Sequence, residues 1–485
     1  MKEMRFRGKP DVKAARALLR EANIALLMIA LAFSGCLTKP LQNQPLREQA
    51  PDSGYRLSNT PADKNNSESL FVVLAFSGGG IRAAAFSYGV LEKLRDTEIV
   101  WEGQRRRLLD EVDVISSVSG GSLPAAYFGV FGARIFEDFP DKVLYRNIQG
   151  ALLKRMFTPA NIVRLFSPRY GRTDILAKMF SRDIFEKKTF VDLIDKQVRP
   201  FLVINSTDIS LGSRFEFTQQ QFDLLNSDLG SYPIGHAVAA SSAYPGLLTP
   251  MTLRNYPKGP DFHAPEWIAE ELRRHDPSRI RYSLGRDYQS YLLPGSPYIH
   301  LVDGGVSDNL GILPIIQFAG GALPDESIQI GVKHFAVKKF VILLVNAKQS
   351  GKVDFNLRQK VIGIFKVLPA AGGKPISNFS TLEIAYLRTY IRTLTERQRF
   401  REQIAKVFGK QEIKEKLPEH DAPDIDYHFI EVAFDSLRDE REEAYLNEIP
   451  TALKLKREQV DRLRRAAETI LDTHPDFQKL LEGLQ

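Results

Sequence analysis

The stretch from Val112 to Phe128, VDVISSVSGGSLPAAYF, carries residue types that could do covalent chemistry. It reads as a buried strand, then a sharp turn of small residues centred on Ser119, then a helix opening at Ser122-Leu123-Pro124. A serine at such a corner has its Oγ pushed out of the sheet, near the unpaired N–H groups of the helix start. That is a nucleophile's position. The run Ser117-Val118-Ser119-Gly120-Gly121 supplies the small neighbours that so crowded a corner needs. The same letters also fit a Ser/Gly turn capping an ordinary helix, and two further segments bear on the choice.

The first is Ser77-Gly78-Gly79-Gly80-Ile81-Arg82, which follows the apolar run Leu70–Phe76 and precedes an Ala-rich helix. Strand, glycine loop and helix together aim backbone N–H groups at negative charge. A Walker phosphate loop needs Lys and Ser/Thr after its last Gly, and a dinucleotide fingerprint needs a Gly where Ala83 stands. The remaining reading is an oxyanion hole built on the Gly79 and Gly80 amides. Arg82 suits a brace of that loop more than a substrate contact, because a buried guanidinium crosslinks backbone carbonyls.

The second is Tyr298 to Asn309, an apolar strand running into Asp303-Gly304-Gly305. It puts a carboxylate at a strand end where the chain can turn sharply, although Asp-Gly also serves as a plain turn. A free serine hydroxyl is a poor nucleophile, so a base must take its proton during attack on an acyl carbonyl. Histidine is the usual base, and His236 and His300 lie near the motifs, but neither has an identifiable third group to orient it. Asp303 can serve directly if it comes within about 3 Å of Oγ, its basicity recovered by partial burial.

These side chains must be positioned by a sheet. Leu70–Phe76, Phe201–Asn205 and Lys339–Asn346 are continuous apolar runs suited to strands buried on both faces. Alternating with helical stretches, they predict an α/β fold with a mostly parallel central sheet flanked by helices. Residues 247–293, rich in Pro, Arg and aromatics, are expected to be an insertion near the site, such as a lid. The region 351–485 is expected to be a mainly helical extension with a strand near Tyr427–Phe434. Its stripes Ile384-Leu387-Ile391-Leu394 and Leu453-Val460-Leu463-Ala467-Ile470 pack on the body, or the second lies on anionic lipid.

Taken in this order, each after a strand, the three motifs resemble those of the patatin-like phospholipases. Asn205-Ser206-Thr207-Asp208 and Ala239 to Pro245 are similar to further segments of that family, so the resemblance runs from about Phe71 to Asn346. It implies hydrolysis of lipid acyl esters by a Ser-Asp dyad, without metal or other cofactor. By this matching Ser119 is the nucleophile, Asp303 the base, and Gly78, Gly79, Gly80 and Arg82 the oxyanion segment. Ser117, Gly121, Gly304 and Gly305 are the supporting motif positions. Ser117 replaces the first Gly of the G-x-S-x-G elbow, and Ala83 a Gly after Arg82; both are tolerable where φ stays negative. A carboxylesterase or thioesterase on soluble acyl groups, or an inactive lipid-binding lipoprotein, would share these motifs.

Seven Lys/Arg against three Asp/Glu in residues 1–35 account for four of the chain's formal +7, so charge argues little for a nucleic-acid partner. That basic start leads into an apolar run at Ile24–Phe33, too short to span a bilayer, and then Ser34-Gly35-Cys36. The pattern resembles a bacterial lipoprotein cleavage box: residues 1–35 are expected as signal peptide and Cys36 as the lipidated N-terminus. By the same resemblance, Leu37 rather than Asp after the cysteine implies sorting to the outer membrane, as in Gram-negative lipoproteins. The polar, turn-rich remainder to residue 69 is expected to be a flexible tether, leaving a catalytic domain over 70–350. The single cysteine excludes an intramolecular disulfide, and no metal-spaced His/Asp/Glu cluster stands out.

Overall fold

Eight strands make the central sheet of the computed structural model: β1 (Leu70–Phe76), β2 (Val112–Val118), β3 (Phe201–Asp208), β4 (Ser213–Glu216), β5 (Met251–Arg254), β6 (Tyr298–Asp303), β7 (Lys339–Asn346) and β8 (Asp426–Ala433). The structure describes residues 20–21, 40–48, 50, 52–61, 65–196, 198–319, 337–349, 364–408 and 424–485. The signal-peptide assignment and Cys36 therefore lie outside the described residues. Among the described residues no helix is long and apolar enough to cross a membrane.

The sheet order is β8-β7-β1-β2-β3-β6-β5, with β4 hydrogen-bonded to β3. Strands β8 to β3 run parallel, while β6 and β5 continue the sheet antiparallel. Every residue of β1, β2, β3 and β7 is buried, because helices cover both faces. The polar exception Asp113 in β2 is held by the Val72 N–H at 2.6 Å, Asn66 Nδ2 at 3.0 Å and the Arg199 guanidinium. Burial still pushes its carboxyl up to about 7.

The helices that matter for the site are α1 (Gly80–Asp96), α2 (Ser122–Phe131), α3 (Ile148–Met156), α4 (Pro159–Leu165), α5 (Arg172–Asp183), α6 (Ile234–Ser241), α7 (Glu266–Arg274), α8 (Ile280–Leu292), α9 (Ile364–Phe408) and α10 (Arg457–Thr473). The stripe Val460, Leu463, Ala467 and Ile470 of α10 is fully buried, so the alternative of a lipid-facing α10 falls. It packs on α1 at short range: a Cβ on Gly89 would lie 2.5 Å from the Arg464 carbonyl oxygen. Arg464 grips Glu92 through Nε and Nη2, at 3.0 and 2.8 Å.

Two expectations about organisation change. Residues 40–61 are not a free tether: Asn43, Tyr55, Arg56, Leu57 and Thr60 are buried, and Gln44–Pro45 pairs with Ser227–Asp228. A few widely spaced anchors suffice, and they leave no periodic signature in sequence. The segment 247–293 is not a simple lid: it begins with sheet strand β5, and its helices are fastened to the body where Tyr291 Oη donates to Asp208 at 3.1 Å. The region after 351 is mainly helical among its described residues, and its expected strand is β8, which pairs along the whole of β7.

Candidate active site

Ser119 leaves β2 in a left-handed conformation, φ +50°, and enters a short 3₁₀ turn that feeds α2. A non-glycine residue in that region is strained by about 1–3 kcal/mol and persists only where its surroundings fix it. They do so here. Its N–H donates to Ser241 Oγ at 2.8 Å, and the Ser241 hydroxyl donates in turn to the Asn205 carbonyl at 2.6 Å. Gly120 and Gly121 allow the close approach that the turn requires: a Cβ on Gly120 would sit 2.0 Å from the Gly80 carbonyl, and one on Gly121 2.6 Å from that of Ser77. Ser117 sits within the extended strand, its hydroxyl 3.4 Å from the Val203 carbonyl, and is accommodated without positive φ.

Asp303 ends β6 opposite Ser206, level with the point where Ser119 leaves β2. The antiparallel direction of β6 brings the end of that strand to the elbow. Ser119 Oγ donates to Asp303 Oδ2 at 2.8 Å, and the other carboxylate oxygen accepts the Gly305 N–H at 2.8 Å. The Asp303 N–H donates to the Ala243 carbonyl at 3.0 Å, and its carbonyl accepts the Thr207 hydroxyl at 2.9 Å. Burial pushes the Asp303 carboxyl up to about 6, against the opposing Gly305 and Ser119 hydrogen bonds. A carboxylate of that basicity is suited to accept a proton near neutral pH. Gly304 is set by packing, since a Cβ there would lie 2.3 Å from the Asn205 carbonyl.

The glycine loop lies across the elbow. Gly79 and Gly80 have φ of +144° and +60°, backbone that a side chain would strain, and α1 starts at Gly80. No acceptor among the described residues takes the N–H of either, and Gly80 packs against Gly120, the residue directly after Ser119. Gly78 departs from the expectation: its N–H donates to the Asn309 carbonyl at 2.9 Å, which ties the loop to the Asp303 turn rather than leaving a free donor. Arg82 departs too. Its guanidinium is buried and donates to the carbonyls of Ala347 at 3.0 Å and Ile449 at 2.7 Å, bracing the loop without facing substrate. The Ile81 N–H donates to the Ala452 carbonyl at 2.9 Å, so the C-terminal region holds the start of α1 in place.

Neither histidine joins the site. His300 Nδ1 lies 3.0 Å from Thr252 Oγ1 on the exposed part of β6, and His236 packs edge-on to Tyr232, its imidazole pushed down to about 4 by burial. Among the described residues no group of His, Cys, Asp or Glu could hold a metal ion. Sequence reasoning missed two supports, Ser241 and Asn309. Ser241 reads as one more small residue in a packed helix.

A family model described as patatin-like phospholipase matches residues 74–316. Among solved structures, the chain is similar to human GIVD cytosolic phospholipase A2, with 13% identity and a TM-score of 0.42, covering 86% of this chain and 60% of that one. It is also similar to VipD from Legionella pneumophila, with 11% identity and a TM-score of 0.31, covering 92% of this chain and 71% of that one. The chain thus spans 60% of the length of the human protein. No curated protein matches it.

Proposed function

Since the chain belongs to the patatin-like phospholipase family, and so to the lipid acyl hydrolases in general, we propose that it cleaves fatty-acyl esters of phospholipids or lysophospholipids by a Ser119–Asp303 dyad. The observation that carries this reading is the 2.8 Å hydrogen bond from Ser119 Oγ to Asp303 Oδ2. Asp303 takes the hydroxyl proton as Oγ attacks the ester carbonyl carbon. The carbonyl oxygen becomes an oxyanion beneath the Gly79 and Gly80 amides, and the Gly120 N–H, next after the nucleophile, is a third donor.

Collapse of the tetrahedral intermediate breaks the ester C–O bond, and Asp303 returns the proton to the leaving alcohol. Water then attacks the acyl-serine with Asp303 again as base, and the fatty acid departs while Ser119 regains its proton. The left-handed backbone at Ser119 and the fixed amides keep the reacting atoms aligned, so little reorganisation is needed during reaction. Anchoring through a lipidated Cys36, with outer-membrane placement, belongs to the same proposal. It is supported by the Ser34-Gly35-Cys36 pattern behind a basic, apolar leader.

The test is twofold. A fluorophosphonate probe should label the chain and fail on Ser119→Ala, and mass spectrometry of mixed bacterial phospholipids should show fatty-acid release that Ser119→Ala and Asp303→Asn both lack. Turnover of soluble short-chain esters without release from vesicles would instead favour a carboxylesterase. Cys36→Ala should free the protein from the membrane fraction, and retention there would remove the anchor from the proposal.

A further inference from the structure

We propose that helices α3 and α4, with the loop that follows to Arg172, form a docking surface for anionic lipid bilayers beside the catalytic site. The use of this surface rests on the reading that the substrate is a membrane lipid. No Asp or Glu occurs from Lys142 to Thr173, a length that contains seven Lys and Arg. Asp183 neutralises two of them, Arg146 and Arg155, at 2.8 and 2.7 Å. Lys154 and Arg169 are exposed, and among the described residues no acid pairs with either. Of the remaining three, Lys142 is paired with Asp138 and Glu186 at 2.8 and 3.2 Å, while Arg164 and Arg172 donate to neutral oxygens, Asn161 Oδ1 at 3.0 Å and the Gly246 carbonyl at 3.3 Å.

The same helices leave their apolar side chains uncovered. Leu153 on α3 and Phe157 at its C-terminal cap stand four residues apart, as do Ile162 on α4 and Phe166 at its cap, all exposed, with Phe157 at 72%. Residues four apart share a helix face. A surface of exposed aliphatic and aromatic side chains set among unpaired cations has the composition of an interfacial segment, with apolar groups entering the acyl boundary and cations meeting lipid phosphates. Its charge favours an anionic bilayer over a neutral one.

Its location supplies the second argument. Besides the Arg172 contact to Gly246, the Thr173 N–H donates to Thr249 Oγ1 at 3.3 Å, and the Thr173 hydroxyl donates to the Thr249 carbonyl. The patch is thereby fastened to the segment 244–249, which carries exposed Tyr244 and Leu247. That segment begins one residue after Ala243, whose carbonyl receives the Asp303 N–H. An apolar border therefore runs from the basic helices to the catalytic carboxylate. A bilayer seated on it would present acyl esters next to the nucleophile.

The test uses the full chain with Cys36→Ala, so that acylation does not contribute. Sedimentation with vesicles is measured in the added Ser119→Ala background, and hydrolysis of a water-soluble short-chain ester in the active background. Binding to vesicles containing phosphatidylglycerol is expected to exceed binding to pure phosphatidylcholine. Lys154→Glu with Arg169→Glu should lower it by about tenfold or more, Phe157→Ser should also weaken it, and soluble-ester turnover should be unchanged in both variants. Equal binding to the two vesicle types, or variants that bind like the parent, would overturn the docking surface. So would concentration-dependent dimerisation that these substitutions abolish, which assigns the face to a second copy. Vesicle binding that behaves as expected in a chain with no esterase activity would uphold the surface and remove the hydrolase reading instead.

Discussion

Ser241 Oγ accepts the backbone N–H of Ser119 at 2.8 Å, and through its own bond to the Asn205 carbonyl it ties the strained elbow to the neighbouring strand. Helix α6 thus fixes the backbone of Ser119, the proposed nucleophile, without touching its Oγ. We predict that Ser241→Ala leaves a buried N–H unpaired and costs about 1–3 kcal/mol of stability. Because small displacements of a reacting group are felt strongly, kcat should fall roughly 10- to 100-fold with KM little changed. Steady-state kinetics on a soluble ester would show it. A kcat equal to that of the parent would mean that the elbow holds its shape unaided.

The Asp303 carboxyl, raised to about 6, sets the expected pH profile. Only the ionised form can accept the Ser119 proton, so kcat/KM should be level above about pH 7 and fall through pH 6 toward a tenfold loss per unit. Measurement on a soluble ester between pH 4.5 and 8 avoids changes in vesicle charge. A profile flat across that range would exclude Asp303 as the base.

The same raised value is a stability statement. An acid whose folded pKa lies above its unfolded value of 3.8 holds its proton more tightly when folded. Its contribution is therefore fullest below about pH 4 and is lost as pH rises through about 6. By pH 8 the buried anion costs on the order of 3 kcal/mol. Asp303→Asn, which cannot ionise, should accordingly be inactive yet resist urea better than the parent at pH 8, with the gap closing as pH falls through 6. Equal stability of the two proteins at pH 8 would show that the carboxylate is compensated by its surroundings.

How much of this was legible from sequence depends on how local the cause is. The elbow at Ser119, the loop at Gly79-Gly80 and the turn at Asp303-Gly304-Gly305 each declare themselves within about six residues, because each needs small residues at set offsets. Direction is less visible. β6 is an apolar run like β1, and nothing in such a run says that it lies antiparallel to β3. Non-local partners are hidden altogether: the Gly78 amide is taken by Asn309, more than two hundred residues away, and Arg82 finds its acceptors at Ala347 and Ile449. The packing of residues 40–61 was illegible for a different reason, since polar composition outweighed the few anchoring side chains.

Those anchors give the last prediction. Tyr55 stacks on Phe201 with ring centroids 4.6 Å apart, meets Phe190 edge-on at 5.2 Å, and its hydroxyl accepts the Leu202 N–H at 2.7 Å. Arg56 pairs with Asp223, and Asn43 Nδ2 donates to Ser227 Oγ and the Arg254 carbonyl, both at 2.8 Å. The segment therefore spans from the buried end of β3 to the edge strand β5, and it belongs to the core rather than to a linker. Tyr55→Ala should cost roughly 3–5 kcal/mol, the usual loss for a buried aromatic, while Leu41→Ala, at an exposed position of the same segment, should stay within about 0.5 kcal/mol. Urea denaturation separates the two cases. If Tyr55→Ala were as silent as Leu41→Ala, the segment would be dispensable, and the body of the enzyme would start at β1.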